Sequence, residues 1–189
     1  SVSVIFIHEQ QIFAVQRQPY LHAFPGYHAF PGGKIDNDES STPFETEFLC
    51  EHNTLRMRAL RREIIEELGY DLEEGINKGE VLSVNELAEA LAPPFAPVRF
   101  RTWFYRVDLS KRVKFDVDSG EFADSFWKTS AELLETFRTG KSLMVPPTRW
   151  VLEGLQKKPQ ATAFGDLSQN FAEDDRVPCL EMIEGVPQL

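Results

Sequence analysis

Phe30-Pro31-Gly32-Gly33 and, downstream, Arg62-Glu63-Ile64-Ile65-Glu66-Glu67-Leu68-Gly69-Tyr70 are the most informative stretches of this chain. Glu63, Glu66 and Glu67 stand at offsets of zero, three and four, a spacing that stacks them along one face of an α-helix. Carboxylates this close repel one another, so the cluster is costly unless cations occupy it. Magnesium or manganese, which take hard oxygen ligands, suit it best. A helix face that holds such ions can in turn hold a diphosphate. Acidic runs on helices are more often solvated surface, but three neighbours weigh against that here. Gly69 follows the acidic turn, where a left-handed glycine ends a helix. Arg61 and Arg62 are placed to hold the carboxylates through charge-assisted hydrogen bonds. Gly32-Gly33-Lys34-Ile35-Asp36 is a flexible turn of the kind that brings a backbone carbonyl close to a ligand.

This pattern resembles the Nudix box: glycine, five residues, glutamate, seven residues, then Arg-Glu-hydrophobic-x-Glu-Glu-x-Gly-hydrophobic. Gly33 to Glu39 matches its first half and Arg62 to Tyr70 its second. Between the halves stand 22 residues instead of seven. Ser40-Ser41-Thr42-Pro43 is turn chemistry, so residues 40–54 are expected to be a loop insertion. The helix is expected to resume near Thr54, with Leu60 and Ile64 facing inward. The resemblance implies an α/β/α sandwich, an α/β (α+β) fold with a mixed sheet. It also implies a metal-dependent diphosphatase.

Outside the box, Arg17 precedes Gly26 by nine residues, and Gly26 precedes Phe30 by four. This spacing, with Leu21, is similar to the signature of coenzyme A diphosphatases within the Nudix family. Gln16-Arg17-Gln18-Pro19 and Phe24-Pro25-Gly26 resemble the peroxisomal acyl-coenzyme A branch, which also carries an insertion in its box. Phe24 stands where that signature has a histidine. The resemblance therefore implies coenzyme A or acyl-coenzyme A as substrate. The alternatives are a broad nucleoside-diphosphate-sugar or dinucleotide pyrophosphatase and a non-catalytic nucleotide sensor. Asn85 and Glu86 stand where ADP-ribose-specific relatives usually carry a proline, and Leu87 and Ala88 where diadenosine-polyphosphate relatives tend to carry a tyrosine.

Composition is compatible with these readings. The chain has 189 residues, 42% of them hydrophobic, enough for one domain with a proper core. A net charge of −10 without a basic stripe argues against a nucleic-acid partner. No apolar run is long enough to span a membrane, so no membrane partner is expected. Cys50 and Cys179 lack metal-ligand spacing and fit a reduced, cytoplasmic protein better than a disulfide.

Val2, Val4 and Phe6 alternate as a strand, turning at Glu9-Gln10-Gln11 into Ile12-Phe13-Ala14-Val15. Further strands are expected at Val81–Val84 and at Val98–Val107, with a short helix at Glu86–Leu91 ended by Pro93-Pro94. Ser130 is expected to cap a helix through Leu134, and Pro146-Pro147-Thr148 to open another from Arg149 to Gln156. Residues 1–157 form the expected Nudix hydrolase domain. Residues 158–189, with Glu173-Asp174-Asp175 and prolines at 159, 178 and 187, are an extended segment or linker. In some bacterial proteins resembling this one such a module precedes a further C-terminal domain. Homodimers are common in the family it resembles.

The expected chemistry is metal-assisted hydrolysis. Glu63, Glu66 and Glu67 would ligate magnesium or manganese, joined by a backbone carbonyl from the region of Gly33. Arg62 would support them. Gly32 and Gly33 would approach the small-molecule diphosphate substrate, and Arg17 would clamp a phosphate with its planar fork. Arg99 and Arg101 alternate with Phe100 and would share a sheet face, which binds phosphate if it looks into the cleft. The general base is Glu66, Glu67 or a downstream carboxylate from Gly120-Glu121-Phe122-Ala123-Asp124, with Glu121 first choice. His22 and His28 flank the Arg17 loop.

Overall fold

Alternating side chains in the strands make two apolar faces, and the helices cover both. The computed structural model describes residues 1–92, 99–170, 181–183 and 186–188. In β1 (Val2–His8), Val2, Val4 and Phe6 point to one face while Ile5 and Ile7 point to the other. In β2 (Gln11–Arg17), Phe13 and Val15 join the first set and Ile12 and Ala14 the second. Period-two alternation of large apolar residues on both faces requires a layer on each side.

The first layer is the long helix of the box. After β3 (His28–Ala29) and a short helix, α1 (Glu47–Cys50), comes α2 (Thr54–Leu68). Asn53 caps α2 by accepting the Arg56 N–H, and Gly69 ends it at φ 60 as a left-handed residue. Leu60, Ile64 and Leu68 are fully buried against β1 and its neighbours, each stabilising by about 1.5–3 kcal/mol. The segment 40–54 differs from the expected plain loop. It contains α1, and Phe44 and Leu49 are buried in the core, so their apolar side chains anchor it.

Beyond α3 (Leu72–Asn77), β4 spans Val81–Leu91. The helix expected at Glu86–Leu91 is therefore a continuation of the strand. Register shifts between Val81 and Ser83 and between Glu86 and Ala88 break the period-two pattern, which disguised the strand. β5 (Arg101–Leu109) pairs with β4 on one side and runs parallel to β1 on the other. β6 (Phe122–Thr129) pairs along the whole of β2. The cap of α4 (Ser130–Arg138) is Thr129, not Ser130, because Thr129 and Glu132 form a reciprocal capping box. α4 and α5 (Pro146–Lys157) supply Leu133, Leu134, Trp150, Val151 and Leu155 to the second face.

The principal sheet runs β3-β2-β1-β5-β4-β7, with β7 (Gly165–Asp166) parallel to β4. Residues beyond 157 thus begin by packing on the domain: Leu167 is buried and Arg106 donates to the carbonyls of Pro159 and Ala161. A separate hairpin joins β8 (Glu181–Ile183) to β9 (Val186–Gln188). Pro93-Pro94, Val98, Glu173-Asp174-Asp175 and Cys179 lie outside the described residues.

Candidate functional site

Where β1 and β2 diverge, residues 31–33 take the place beside β1. The carbonyls of Pro31 and Gly33 accept the N–H groups of Val4 and Val2 at 2.8 and 2.9 Å. Two glycines are required here. Gly32 has φ 138, and a Cβ on it would fall 2.3 Å from the Val2 carbonyl oxygen. A Cβ on Gly33 would fall 2.2 Å from Glu63 Oε1, so the Glu63 carboxylate lies directly against its backbone. The glycine turn and α2 are thereby locked face to face.

The three box glutamates have different surroundings. Glu67 is buried at 5% exposure and accepts the Gly32 N–H at 2.7 Å. Burial, foremost, with the like charges of Glu63 and Glu121, pushes its carboxyl up to about 8, against the Gly32 N–H and Arg17. The Glu63 carboxyl is also raised, chiefly by burial, although Arg62 opposes this. Glu66 is exposed at the rim and reaches Arg62 at 3.3 Å.

Arg62 is the hub. It donates to Glu39 at 2.8 and 2.9 Å, to Glu63 at 3.0 Å and to the Lys34 carbonyl at 2.9 Å. Burial works against its charge, yet hydrogen bonds to Glu39 and Glu63 hold the guanidinium protonated well above its ordinary range. Despite the 22-residue spacing, Glu39 thus returns to the helix. Arg61 turns elsewhere, onto Asp71 and Glu73.

A segment with no assigned role in the sequence carries Glu121 to the site. Val113, Phe115 and Val117 pack inward, Phe115 among Phe6, Phe13, Tyr70 and Trp127. The N–H groups of Asp116 and Asp118 then satisfy the terminal α2 carbonyls of Leu68 and Glu67 at 2.9 and 2.8 Å. Glu121 follows, close enough to act electrostatically on both Glu63 and Glu67. Arg17 Nη1 lies 3.7 Å from Glu121 Oε2, while Arg17 Nε donates to the Ala23 carbonyl. The alternation of Val113, Phe115 and Val117 was the available signal for this segment.

Gly32, Gly33, Glu63, Glu67, Arg17 and Glu121 are therefore brought together, with Arg62 behind and Glu66 at the edge. Among the described residues no hydrogen bond or ion pair joins Arg99 or Arg101 to them. Arg101 opens β5, whereas Arg99 precedes it and donates to the Ala92 carbonyl. His28 is buried against Phe126, and burial lowers its pKa; His22 is exposed.

Among the described residues no three His, Cys, Asp or Glu side chains gather closely enough to enclose a metal ion. Glu63 and Glu66 are drawn to Arg62, and Glu67 to the Gly32 N–H. The donor set nevertheless suits a hard divalent cation. It consists of carboxylate oxygens, and burial, with the like charges of Glu63 and Glu121, raises the Glu67 carboxyl to about 8, a penalty that a bound cation would relieve. No helix of the described residues is long and apolar enough to cross a membrane.

No family model and no curated protein matches the chain. Solved structures match it, and the chain has the fold of the Nudix hydrolases. A Nudix hydrolase from Alicyclobacillus acidocaldarius superposes with a TM-score of 0.68 at 20% identity, covering 84% of this chain and 90% of that one. The Nudix domain of NrtR from Shewanella oneidensis, solved with ADP ribose, gives 0.57 at 15% identity, over 84% and 86%. An Ap4A hydrolase from C. elegans gives 0.51 at 12% identity, over 82% and 95%.

Proposed function

We propose that this chain is a metal-dependent hydrolase that cleaves the diphosphate linkage of a nucleoside diphosphate joined to another moiety. The observation that carries this reading is the convergence of Glu63, Glu67, Glu121 and Arg17 on the Gly32–Gly33 turn. Glu63, Glu66 and Glu67 would hold magnesium or manganese, which when bound neutralises the diphosphate and acidifies the attacking water.

The remaining work falls to side chains. Arg17 binds a phosphate oxygen with its fork and orients the anhydride for attack. Water attacks one phosphorus, the phosphorus–oxygen bond to the other phosphate breaks, and Glu121 takes the water's proton. Arg62 holds Glu63 and Glu66 in position. A general base of this kind contributes about 10²- to 10⁴-fold in rate.

Coenzyme A or acyl-coenzyme A is the substrate we favour, because the Arg17–Gly26–Phe30 spacing resembles the coenzyme A signature and Arg17 stands beside Glu121. A cytoplasmic location fits such a substrate. The test is incubation with magnesium or manganese and a panel of coenzyme A, acetyl-coenzyme A, ADP-ribose, NADH and dinucleoside polyphosphates, with products identified by mass. Release of 3′,5′-ADP and a phosphopantetheine, abolished in Glu66→Gln, is the expected result. Cleavage of other diphosphates alone would leave a broader pyrophosphatase. No turnover, or full activity in Glu66→Gln, would overturn the proposal.

A further inference from the structure

The insertion between the two halves of the box builds a second polar site. The chain runs from Gly33 back along α2, meeting Arg62 through Lys34, Asp36 and Glu39 and Arg58 through Thr42 and Pro43. Beside it lies a cavity of about 280 Å³ lined by Glu39, Arg58, Arg61, Arg62, Ile65 and Glu66. Arg62 and Glu66 also border the carboxylate cluster, so this cavity adjoins the proposed diphosphate site.

Its three arginines are not equivalent. Arg62 is fully engaged with carboxylates. Arg61 is fixed by Asp71 through Nε and Nη2. Arg58 is fixed as firmly, but by neutral groups: Nε and Nη2 donate to the Thr42 carbonyl, Nη2 also to that of Pro43, and the guanidinium lies 3.8 Å over the Phe44 ring. Among the described residues no carboxylate pairs with Arg58, and Nη1 of both Arg58 and Arg61 has no acceptor. A rigid guanidinium with its charge uncompensated and donors spare is suited to a doubly charged phosphate oxyanion. Glu39 and Glu66, which also line the cavity, are drawn to Arg62 rather than to Arg58.

Resting on the proposed function, we infer that this cavity binds a phosphate monoester carried by the substrate in addition to its diphosphate. Arg58 is then the residue that selects 3′-phosphorylated nucleotides over unphosphorylated ones. Arg58 stands four residues before Arg62, roughly 6 Å along the helix axis, within reach of one nucleotide. The insertion serves to hold Arg58 in place.

The test is calorimetric titration of the intact protein in chelator with AMP, adenosine 3′,5′-bisphosphate and inorganic phosphate. None contains a diphosphate linkage, so the outcome does not depend on hydrolysis. The bisphosphate should bind at least ten-fold more tightly than AMP. That advantage should vanish in Arg58→Ala and be partly kept in Arg58→Lys, with circular dichroism reporting whether each variant is folded. Equal binding of the two nucleotides, or an advantage that survives Arg58→Ala, would overturn the inference. So would Arg58-dependent binding of inorganic phosphate without discrimination between the nucleotides. If Arg58→Ala does not fold, loss of the advantage in folded Arg58→Gln decides the matter. Failure of every diphosphate in the turnover panel, with the bisphosphate advantage intact, would instead refute the hydrolase and keep the pocket.

Discussion

Replacing Glu67 by glutamine should make the metal-free protein more stable at neutral and mildly alkaline pH, although it removes a central group of the site. The Glu67 carboxyl is held at about 8 in the folded chain against an ordinary 4.5. A raised carboxyl has a definite sign: between those values the unfolded chain has released its proton and the folded chain retains it. Stability therefore falls as pH rises through that window, by about 1.4 kcal/mol per pH unit at most. Summed from 4.5 to about 8, the upper limit is about 5 kcal/mol, and side-chain relaxation should leave about 2–4. Glutamine keeps an oxygen for the Gly32 N–H while avoiding the charge. Urea denaturation of both proteins in chelator, at intervals from pH 5 to pH 8.5, measures the difference directly. Glu67→Gln should gain on the parent protein steadily across the range. A difference that stays constant with pH would refute the account of Glu67 as a buried carboxyl raised by its surroundings. The same linkage predicts that magnesium affinity climbs with pH up to about 8 in the parent protein, because the ion must displace a proton.

Two further perturbations test the scaffold. Gly33→Ala places a methyl 2.2 Å from Glu63 Oε1, so the carboxylate must move. Metal-dependent turnover should fall at least about 10²-fold for such a displacement while circular dichroism stays native; undiminished turnover would show that Glu63 is not needed against the turn. Phe115→Ala removes the half-buried ring packed among Phe6, Phe13, Tyr70 and Trp127, and should cost about 2–3 kcal/mol in urea denaturation, less than for a fully buried phenylalanine. Turnover should drop with it, because the segment that carries Glu121 to Glu67 is anchored there; unchanged turnover would detach Glu121 from the proposed chemistry.

Much of the fold and part of the candidate site could be read from residue order. Local chemistry sufficed for α2 from near Thr54 onward, because the inward pair Leu60 and Ile64 and the terminal Gly69 act within a turn or two of one another, whereas the Asn53 cap and the burial of Leu68 emerged only in the structure. It also sufficed for the alternating strands β1 and β2. Other features depend on partners distant in the chain. The register shifts of β4 hide a strand whose pairing with β5 makes it one. Thr129 outcompetes Ser130 as a cap because Glu132 reaches back to it. Arg99 lies outside β5, which begins only at Arg101, and donates instead to the Ala92 carbonyl.

The sequence by itself determined that three glutamates would share one face of a helix ended by Gly69, since helical period and backbone sterics are local. Tertiary structure decided which glutamate is buried, that Glu39 returns to Arg62 across the insertion, and that Arg17 and Glu121 meet beside Glu67. Those outcomes depend on desolvation and on charges brought close from segments far apart in the chain. Neither exists until the sheet, α2 and the 113–121 segment have packed together.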